Sequence, residues 1–146
     1  MGQYYKIVNL TKKQYLTPHT FGDGAKLMEF GCSGSGVMTA LALLLADGNN
    51  RGGGDMRSDD VIIGSWEGDR IVITGDYADA GKFTRHKEKN LYEVVSEAYK
   101  DVSEKVLLVM AEDSYLKEDL RKSLDWNKNS LGPDVYKAIY GKEKPK

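Results

Sequence analysis

The stretch CSGSG, residues 32–36, places small and polar residues directly before an apolar run, Val37 to Ala46. A run that is apolar on all sides predicts a buried helix, whose first backbone N–H groups lack partners within the helix. Because glycines let an anion approach these groups and hydroxyls add donors, the segment is a candidate phosphate or carboxylate site, formed by Ser33, Gly34, Ser35 and Gly36. The frame is not a Walker A loop, because it ends in Val37 and Met38. Ser and Gly are also common helix caps, so a purely structural role stays open.

Cys32 is the only cysteine, which excludes an intramolecular disulfide and a thiolate zinc site. Its place before a helix makes it a candidate nucleophile, with His19 as the base if the fold brings the two together. The alternative is an inert buried thiol and a loop histidine that bonds to the backbone.

A second glycine-rich segment, RGGGD at 51–55, follows the apolar run. Arg51, Gly53 and Asp55 in an exposed loop would present a guanidinium and unhindered amides, which suit an anionic ligand. The partial match to a calcium loop is rejected, because Arg51 takes a ligand position and Ser58 stands where a bidentate Glu is required. A plain surface loop is the alternative.

Asp76 and Asp79 follow the β-branched run RIVIT. Two carboxylates near a strand end are candidates for an acid/base pair or metal binding, although they could equally cap the turn after the strand. Trp66 is a candidate for stacking on a ring of a ligand. No spacing specifies a metal site, so none is predicted, and the sequence identifies no cofactor.

The elements that position these residues are typical of an α+β fold. Runs rich in Tyr, Ile and Val flank NLTK and predict an antiparallel hairpin over about 3–17. VIIGSW and RIVITGDY, separated by EGD, predict a second hairpin over about 61–77. Both hairpins are expected to pack on the buried helix, placed at about 35–47.

The second half of the chain is predicted to be helical. Apolar residues recur at three- and four-residue steps from Leu91 to Met110, which predicts one helix over about 91–111 with Asn90 as its N-cap. Shorter helices are predicted over about 115–124, capped by Ser114, and over about 133–140. Since 14 of the 16 glycines precede residue 84, we expect one domain, 1–146, in which residues 1–83 are glycine-rich, residues 84–141 are helical and residues 142–146 form a frayed tail.

Charge and hydropathy narrow the choice of partners. A net charge of −1 offers no basic surface, so neither nucleic acid nor an anionic membrane is favoured. The longest apolar run is half the length of a membrane-spanning helix, and the N-terminus lacks the pattern of a signal peptide. We therefore expect a soluble, cytoplasmic protein.

Four phrases occur in order over about residues 1–80: GQYYKIVNL, PHTFGDGAKLMEFG, RGGGD and IIGSWEGDRIVITGDY. Together they resemble a family of small uncharacterised proteins of microbial genomes and mobile elements. That family has no assigned activity, so the resemblance implies no cofactor or catalytic residue. It does imply that the glycine-rich segments belong to the core of the module and are not linkers.

Three kinds of function remain open. The first is a binding module for a small anionic, nucleotide-like ligand, held where the glycine-rich loops converge. The second is an interaction protein, such as an accessory factor or inhibitor of a mobile element, that binds a protein partner or a second copy of itself. The third is a hydrolase or transferase that uses Asp76 with Asp79, or Cys32 with His19.

Overall fold

The computed structural model describes residues 2–32 and 34–146. It confirms the α+β class, with a four-stranded sheet and a C-terminal half that is mostly helical. The elements are β1 (Tyr5–Asn9), β2 (Gln14–Leu16), a 3-10 turn (Pro18–Phe21), α1 (Leu27–Phe30), α2 (Val37–Leu45), β3 (Ile71–Gly75), α3 (Leu91–Ala98), β4 (Lys100–Asp101), α4 (Ser103–Met110), α5 (Ser114–Leu124), a second 3-10 turn (Asp125–Ser130) and α6 (Pro133–Tyr140).

The sheet has the strand order β3-β1-β2-β4. The predicted first hairpin is confirmed, because β1 pairs antiparallel with β2; β1 also pairs antiparallel with β3, and β2 pairs parallel with β4. Side chains alternate between the two faces of a strand. Ile7 and Leu16 therefore enter the larger core, while Val8 packs with Leu91 and Val95 of α3 on the other face.

The predicted buried helix is α2, within narrower bounds than expected. Val37, Ala40 and Leu44 are fully buried in the larger core, which explains why this helix carries apolar residues on several sides. α2 packs against α4 and the first 3-10 turn. The larger core also contains residues from α5 and α6, so both halves of the chain contribute to it.

The predicted second hairpin is wrong in its first strand. Residues 61–68 form consecutive turns, and the strand predicted at 70–77 is β3, which pairs with β1. The backbone of this turn segment forms hydrogen bonds to the C-terminal end of α2 instead. The amides of Gly64 and Trp66 donate to the carbonyls of Leu43 and Leu44, both at 2.9 Å. At Gly64, with φ of +81°, an added Cβ would lie 2.6 Å from the carbonyl oxygen of Ala46, so a side chain does not fit there.

The single helix predicted over 91–111 is also wrong, because it is two helices, α3 and α4, with β4 between them. The chain leaves the helix to pair with β2: the amides of Lys100 and Val102 donate to the carbonyls of Lys13 and Tyr15. The apolar period continues across the break because Val102 is itself buried. Residue 102 would be buried in one continuous helix as well as in the observed structure, so the apolar pattern does not reveal the break.

The predicted signals for the start of a helix agree with the structure in two of three cases. Asn90 caps α3, because its side chain accepts a bond from the amide of Glu93, and Pro133 lies in the first turn of α6. The cap of α5 is Asp113, whose carboxylate accepts from the amides of Tyr115 and Leu116, and not Ser114 as predicted. The carboxylate accepts two helix amides at once and adds a favourable charge at the helix start.

Candidate functional site

β3 lies at the edge of the sheet, and no strand of the described residues pairs with its outer side. The amide of Asp76 donates to the carbonyl of Tyr4, and the amide of Leu10 donates to the carbonyl of Arg70, each at 2.9 Å. In an antiparallel pair, residues that bond across the ladder alternate with residues that do not. The even-numbered residues of β3 therefore bond to β1, whereas Ile71 and Ile73 direct their N–H and C=O groups away from the sheet.

Nothing in the described residues of the chain occupies these outward groups. Neither Ile71 nor Ile73 takes part in a backbone bond outside the β1–β3 ladder, and no side chain there bonds to their amides or carbonyls. Gly75 is partly used, because its carbonyl accepts from the amide of Ala78. The edge thus presents two free donors and two free acceptors in a row.

A groove of about 330 Å³ follows this edge; we call it the β3 groove. It is lined by Gln3, Tyr5, residues 72–75 of β3, residues 77–79, Lys82, Phe83 and Leu91. Several apolar side chains around it are exposed, with 38% of Ile73, 60% of Tyr77 and 46% of Phe83 open to solvent. Free backbone groups, apolar surface and a concave shape therefore coincide along β3.

Asn90 fixes the loop that forms one end of the β3 groove. Its Nδ2 donates to the carbonyls of Asp76, at 2.9 Å, and Ala78, at 3.1 Å, while its Oδ1 accepts from the amide of Glu93, at 3.0 Å. The residue is buried, so these bonds are shielded from water. The cap of α3 is thus also the support of the loop after β3.

Asp76 and Asp79 lie at this end of the groove but have different surroundings. The carboxylate of Asp76 accepts from the amide of Tyr4 at 3.0 Å, so it closes the β1–β3 pair as a turn cap does. Asp79 is exposed and lines the groove. No hydrogen bond joins the two carboxylates to a shared group within the described residues.

A side-chain carboxylate of the protein itself already binds the N-terminus of α2. The amide of Val37 donates to Oδ2 of Asp23 at 2.7 Å, and a Cβ added at Gly36 would lie 2.2 Å from the same oxygen. Ser35 donates to Oδ2 of Asp119 at 2.7 Å, while Gly34 is exposed. Ser33 lies outside the described residues. The glycine at 36 therefore admits the carboxylate of Asp23, which takes the position predicted for a ligand.

The RGGGD loop lies at the other end of α2. The loop follows the C-terminus of α2, whereas residues 34–36 precede its N-terminus. Within the loop, Asp55 accepts from the amides of Arg51, at 2.9 Å, and Gly52, at 3.1 Å, and these bonds lower the pKa of its carboxyl group. Gly53 is exposed with open space around it.

The cavity beside Arg51, of about 410 Å³, is a poor site for an anion. Three of its lining residues are acidic, namely Asp59, Asp60 and Glu67, and residues 34–36 do not line it. An anionic ligand there would meet three carboxylates and one guanidinium. The convergence of the two glycine-rich segments on one ligand stays a prediction, which the lining of this cavity does not support.

The remaining predicted residues each have surroundings of their own. Trp66 is fully buried and its Nε1 donates to Oε1 of Gln14 at 2.7 Å, so the indole is part of the core and is not free to stack on a ligand. Cys32 is exposed, and Nδ1 of His19 lies 3.0 Å from the carbonyl oxygen of Asp23. In the described chain, no hydrogen bond links Cys32 to His19.

Sequence reasoning does not single out Ile71 and Ile73 as positions of a candidate site, and it recognises Asn90 only as a helix cap. The signal for the edge was present in RIVITGD, a run rich in β-branched residues with charges only at its ends. The sequence favours the neighbouring run VIIGSW as its partner, but that run lies in consecutive turns in the structure. Once that partner is removed, one side of the run is unpaired.

Membrane-spanning and metal-binding features are both missing from the described residues. No helix there is long and apolar enough to span a membrane. Across the same two ranges, 2–32 and 34–146, no group of three or more His, Cys, Asp or Glu side chains is placed to hold a metal ion.

Comparison with known proteins adds no further constraint on function. The chain matches no protein-family model, and no curated protein or solved structure is significantly similar to it.

Proposed function

We propose that this protein is an interaction protein that binds an extended segment of a partner polypeptide along β3. The observation that carries this proposal is the open edge of β3, with the outward N–H and C=O groups of Ile71 and Ile73. An extended chain is the ligand that satisfies alternating donors and acceptors in a row, as in other cases of strand addition.

The energetics require side chains as well as backbone. Four backbone bonds contribute about 0.5–1.5 kcal/mol each, which does not offset the cost of ordering and immobilising a peptide. The exposed side chains of Ile73, Tyr77 and Phe83 supply apolar surface next to the edge. The partner segment therefore needs apolar residues at alternate positions, which pack on these side chains.

Charges at the two ends of β3 define the partner further. Arg70 is exposed and makes no ion pair in the described residues, while Asp76 stands at the other end. An antiparallel partner with an acidic residue opposite Arg70 and a basic residue opposite Asp76 matches both. The β3 sequence itself has this pattern: when two copies pair antiparallel about Ile73, Arg70 of each lies opposite Asp76 of the other.

This proposal is favoured over a binding module for a small anion. The start of α2 is occupied by the Asp23 carboxylate, and the loop at Arg51 lies at the opposite end of that helix beside three acidic residues. It is also favoured over a hydrolase, because the Asp76 carboxylate bonds to a backbone amide and, among the described residues, makes no hydrogen bond to Asp79 or to a histidine.

The experiment titrates a blocked peptide of residues 69–77 into the ¹⁵N-labelled protein and follows amide chemical shifts. We expect saturable shifts at Ile71, Ile73 and Gly75, and none for the same peptide N-methylated at Ile73. The variant Arg70→Asp weakens binding about three- to fivefold, because two acids then face each other. A peptide carrying Asp76→Arg restores the affinity for Arg70→Asp.

The contrary results are equally defined. Shifts that map to the helices, or equal binding of the N-methylated peptide, would contradict strand addition. Failure of the charge reversal to restore affinity would contradict the antiparallel register. Sedimentation of the protein alone shows whether a second copy already occupies the edge; a dimer that Ile73→Pro abolishes supports the proposal with the chain as its own partner, whereas a dimer that survives contradicts it.

A further inference from the structure

A further cavity, of about 520 Å³, is lined by the second half of α3, by residues 83–86 and by Lys13 of the β1–β2 turn. Its volume is in the range of small-molecule sites. Phe83 lines both this cavity and the β3 groove. We call it the basic cavity.

The charged side chains that line the basic cavity are cationic. Lys13 and Arg85 come from distant parts of the chain, and His86 adds an imidazole. Among the described residues, no carboxylate lines this cavity, whereas three line the cavity beside Arg51. Neither Lys13 nor Arg85 makes an ion pair in that part of the chain. Two uncompensated positive charges therefore border one volume.

The acidic residues closest in sequence do not remove this charge. The segment 82–89 carries four cations and one carboxylate, Glu88, which is exposed and outside the lining. Glu97 of α3 accepts two bonds from Nζ of Lys89, at 2.8 and 3.0 Å. The bond from Lys89 holds the pKa of Glu97 below its usual range, and attraction to His86 lowers it further. Lys89 thus balances the charge of Glu97.

The rest of the wall is apolar or aromatic, with Phe83, Val94, Ala98 and Tyr99 in the lining. Two of the lining residues have an unusual backbone: φ is +61° at Phe83 and +56° at Lys13. Residues with a large side chain rarely adopt this left-handed conformation, which costs free energy and is found preferentially at binding sites. The fold therefore holds a ring and a cation at this cavity in spite of local strain.

A phosphate monoester fits these groups better than a carboxylate does. A guanidinium can donate two parallel bonds to a phosphate, and the ammonium and imidazole groups add further donors. A dianion balances both permanent charges, whereas a carboxylate leaves one of them unbalanced. Phe83 and Tyr99 offer ring surfaces to an aromatic body.

We propose that the basic cavity binds a small phosphate monoester carried on an aromatic body. Arg85 and Lys13 donate to the phosphate, and the ring of the ligand packs on Phe83 and Tyr99. The proposal does not rest on strand binding at β3, because none of these cations lines the β3 groove. It is also separate from the glycine-rich segments, none of whose described residues line the basic cavity.

The test titrates 1-naphthyl phosphate into the intact ¹⁵N-labelled protein at physiological salt and follows amide chemical shifts. We expect saturable shifts at Thr84, Arg85 and Ala98. 1-Naphthol and inorganic phosphate should each bind about tenfold or more weakly, because the first lacks the charge and the second lacks the apolar contact.

Two matched pairs of variants locate the charge. Arg85→Met should weaken 1-naphthyl phosphate about tenfold, whereas Lys87→Met removes the same charge from an exposed neighbour outside the lining and should stay within about twofold. Ala98→Asp brings a carboxylate to the wall and should weaken binding about fivefold. Ala98→Asn has nearly the same shape without the charge and should bind more tightly than Ala98→Asp.

Equal effects of Arg85→Met and Lys87→Met would overturn the proposal, since general attraction to surface cations predicts that result. Equal binding of 1-naphthol and its phosphate would do the same, as would equal affinities of Ala98→Asp and Ala98→Asn. Shifts confined to β3 would place the ligand elsewhere and contradict the assignment. Circular dichroism and thermal unfolding show whether each variant keeps its structure; these substitutions alter exposed side chains, so we expect all four proteins to fold.

Discussion

The two edges of the sheet are built differently. β4, at one edge, has two residues, Lys100 and Asp101, both charged and exposed. β3, at the other edge, has five residues and no charge, with Ile73 more than a third exposed. The same sheet therefore has one short, charged edge and one longer, apolar edge.

The side chain of Asp101 shows how the short edge is closed. Its Oδ1 accepts from the amide of Ser103 at 2.9 Å, and its Oδ2 accepts from the hydroxyl of Thr17 at 2.9 Å. The chain turns into α4 directly after β4 and leaves no room for a longer ladder.

Shortness and charge are common devices against unwanted strand pairing, and β3 lacks both. Its nearest charges, Arg70 and Asp76, stand beyond its ends, where the partner proposed above would carry the opposite charges. The contrast shows that an edge strand without protection against pairing can be what distinguishes one side of a sheet from the other. The variants below should distinguish the contribution of each edge from the contribution of the residues that support the sheet.

The largest effect is expected in the central strand that supports β3 directly. Ile7 of β1 is fully buried, and it lies between Leu16 of β2 and Ile73 of β3. Ile7→Ala should lower the free energy of unfolding by about 2–5 kcal/mol, because it leaves a cavity in the core. Urea unfolding followed by circular dichroism measures this; a loss below about 1 kcal/mol would show that the sheet does not depend on this contact.

A smaller loss of stability is expected at Asn90, which supports the loop after β3. Asn90→Ala should cost about 2 kcal/mol, since it removes a helix cap and the two bonds to the carbonyls of Asp76 and Ala78. Asn90→Ser keeps a capping oxygen without the amide donors and should cost about half as much. Equal losses in the two variants, measured by the same unfolding experiment, would mean that the loop contributes nothing.

At the short, charged edge formed by β4, removal of the Asp101 carboxylate should lower the stability of the protein. Asp101→Ala should lower the free energy of unfolding by about 1 kcal/mol, through the lost bonds to the first amide of α4 and to Thr17. Binding of the β3 peptide should stay unchanged, because Asp101 lies at the other edge of the sheet. Weaker peptide binding in this folded variant would contradict the separation of the two edges.

The smallest effect on stability is expected at the open edge itself. Ile73→Thr retains a β-branched residue at a partly exposed position, so the free energy of unfolding should change by no more than about 0.5 kcal/mol. Affinity for the peptide should nevertheless fall, because apolar contact at the centre of the register is lost. A variant that binds as well as the native protein would remove Ile73 from the site.

The sequence predicts those regions of the fold whose signals are local. The first hairpin, the buried helix α2, the Asn90 cap and the Pro133 helix start follow from patterns within a few residues of each position. The break between α3 and α4 does not, because Val102 is apolar for either structure and β2, which draws the chain out of the helix, is 84 residues or more away in sequence.

The candidate site was harder to predict, since it depends on what a segment does not contact. IVITG is a strand in both the prediction and the structure, but only long-range pairing decides which side stays open. The sequence analysis interprets the glycine-rich segments as room for a ligand, whereas the structure uses glycines to make room for other parts of the protein. Gly36 leaves space for the carboxylate of Asp23, and Gly64 leaves space for the carbonyl of Ala46. Both are close approaches within the protein.

Amide hydrogen exchange along β3 tests the central claim most directly. In the monomeric protein, the amides of Val72 and Thr74, which bond to β1, should exchange on the order of a hundredfold more slowly than those of Ile71 and Ile73. Addition of the β3 peptide should then slow Ile71 and Ile73. Uniform protection of all four amides in the monomer would show that the edge is already covered and would contradict the account.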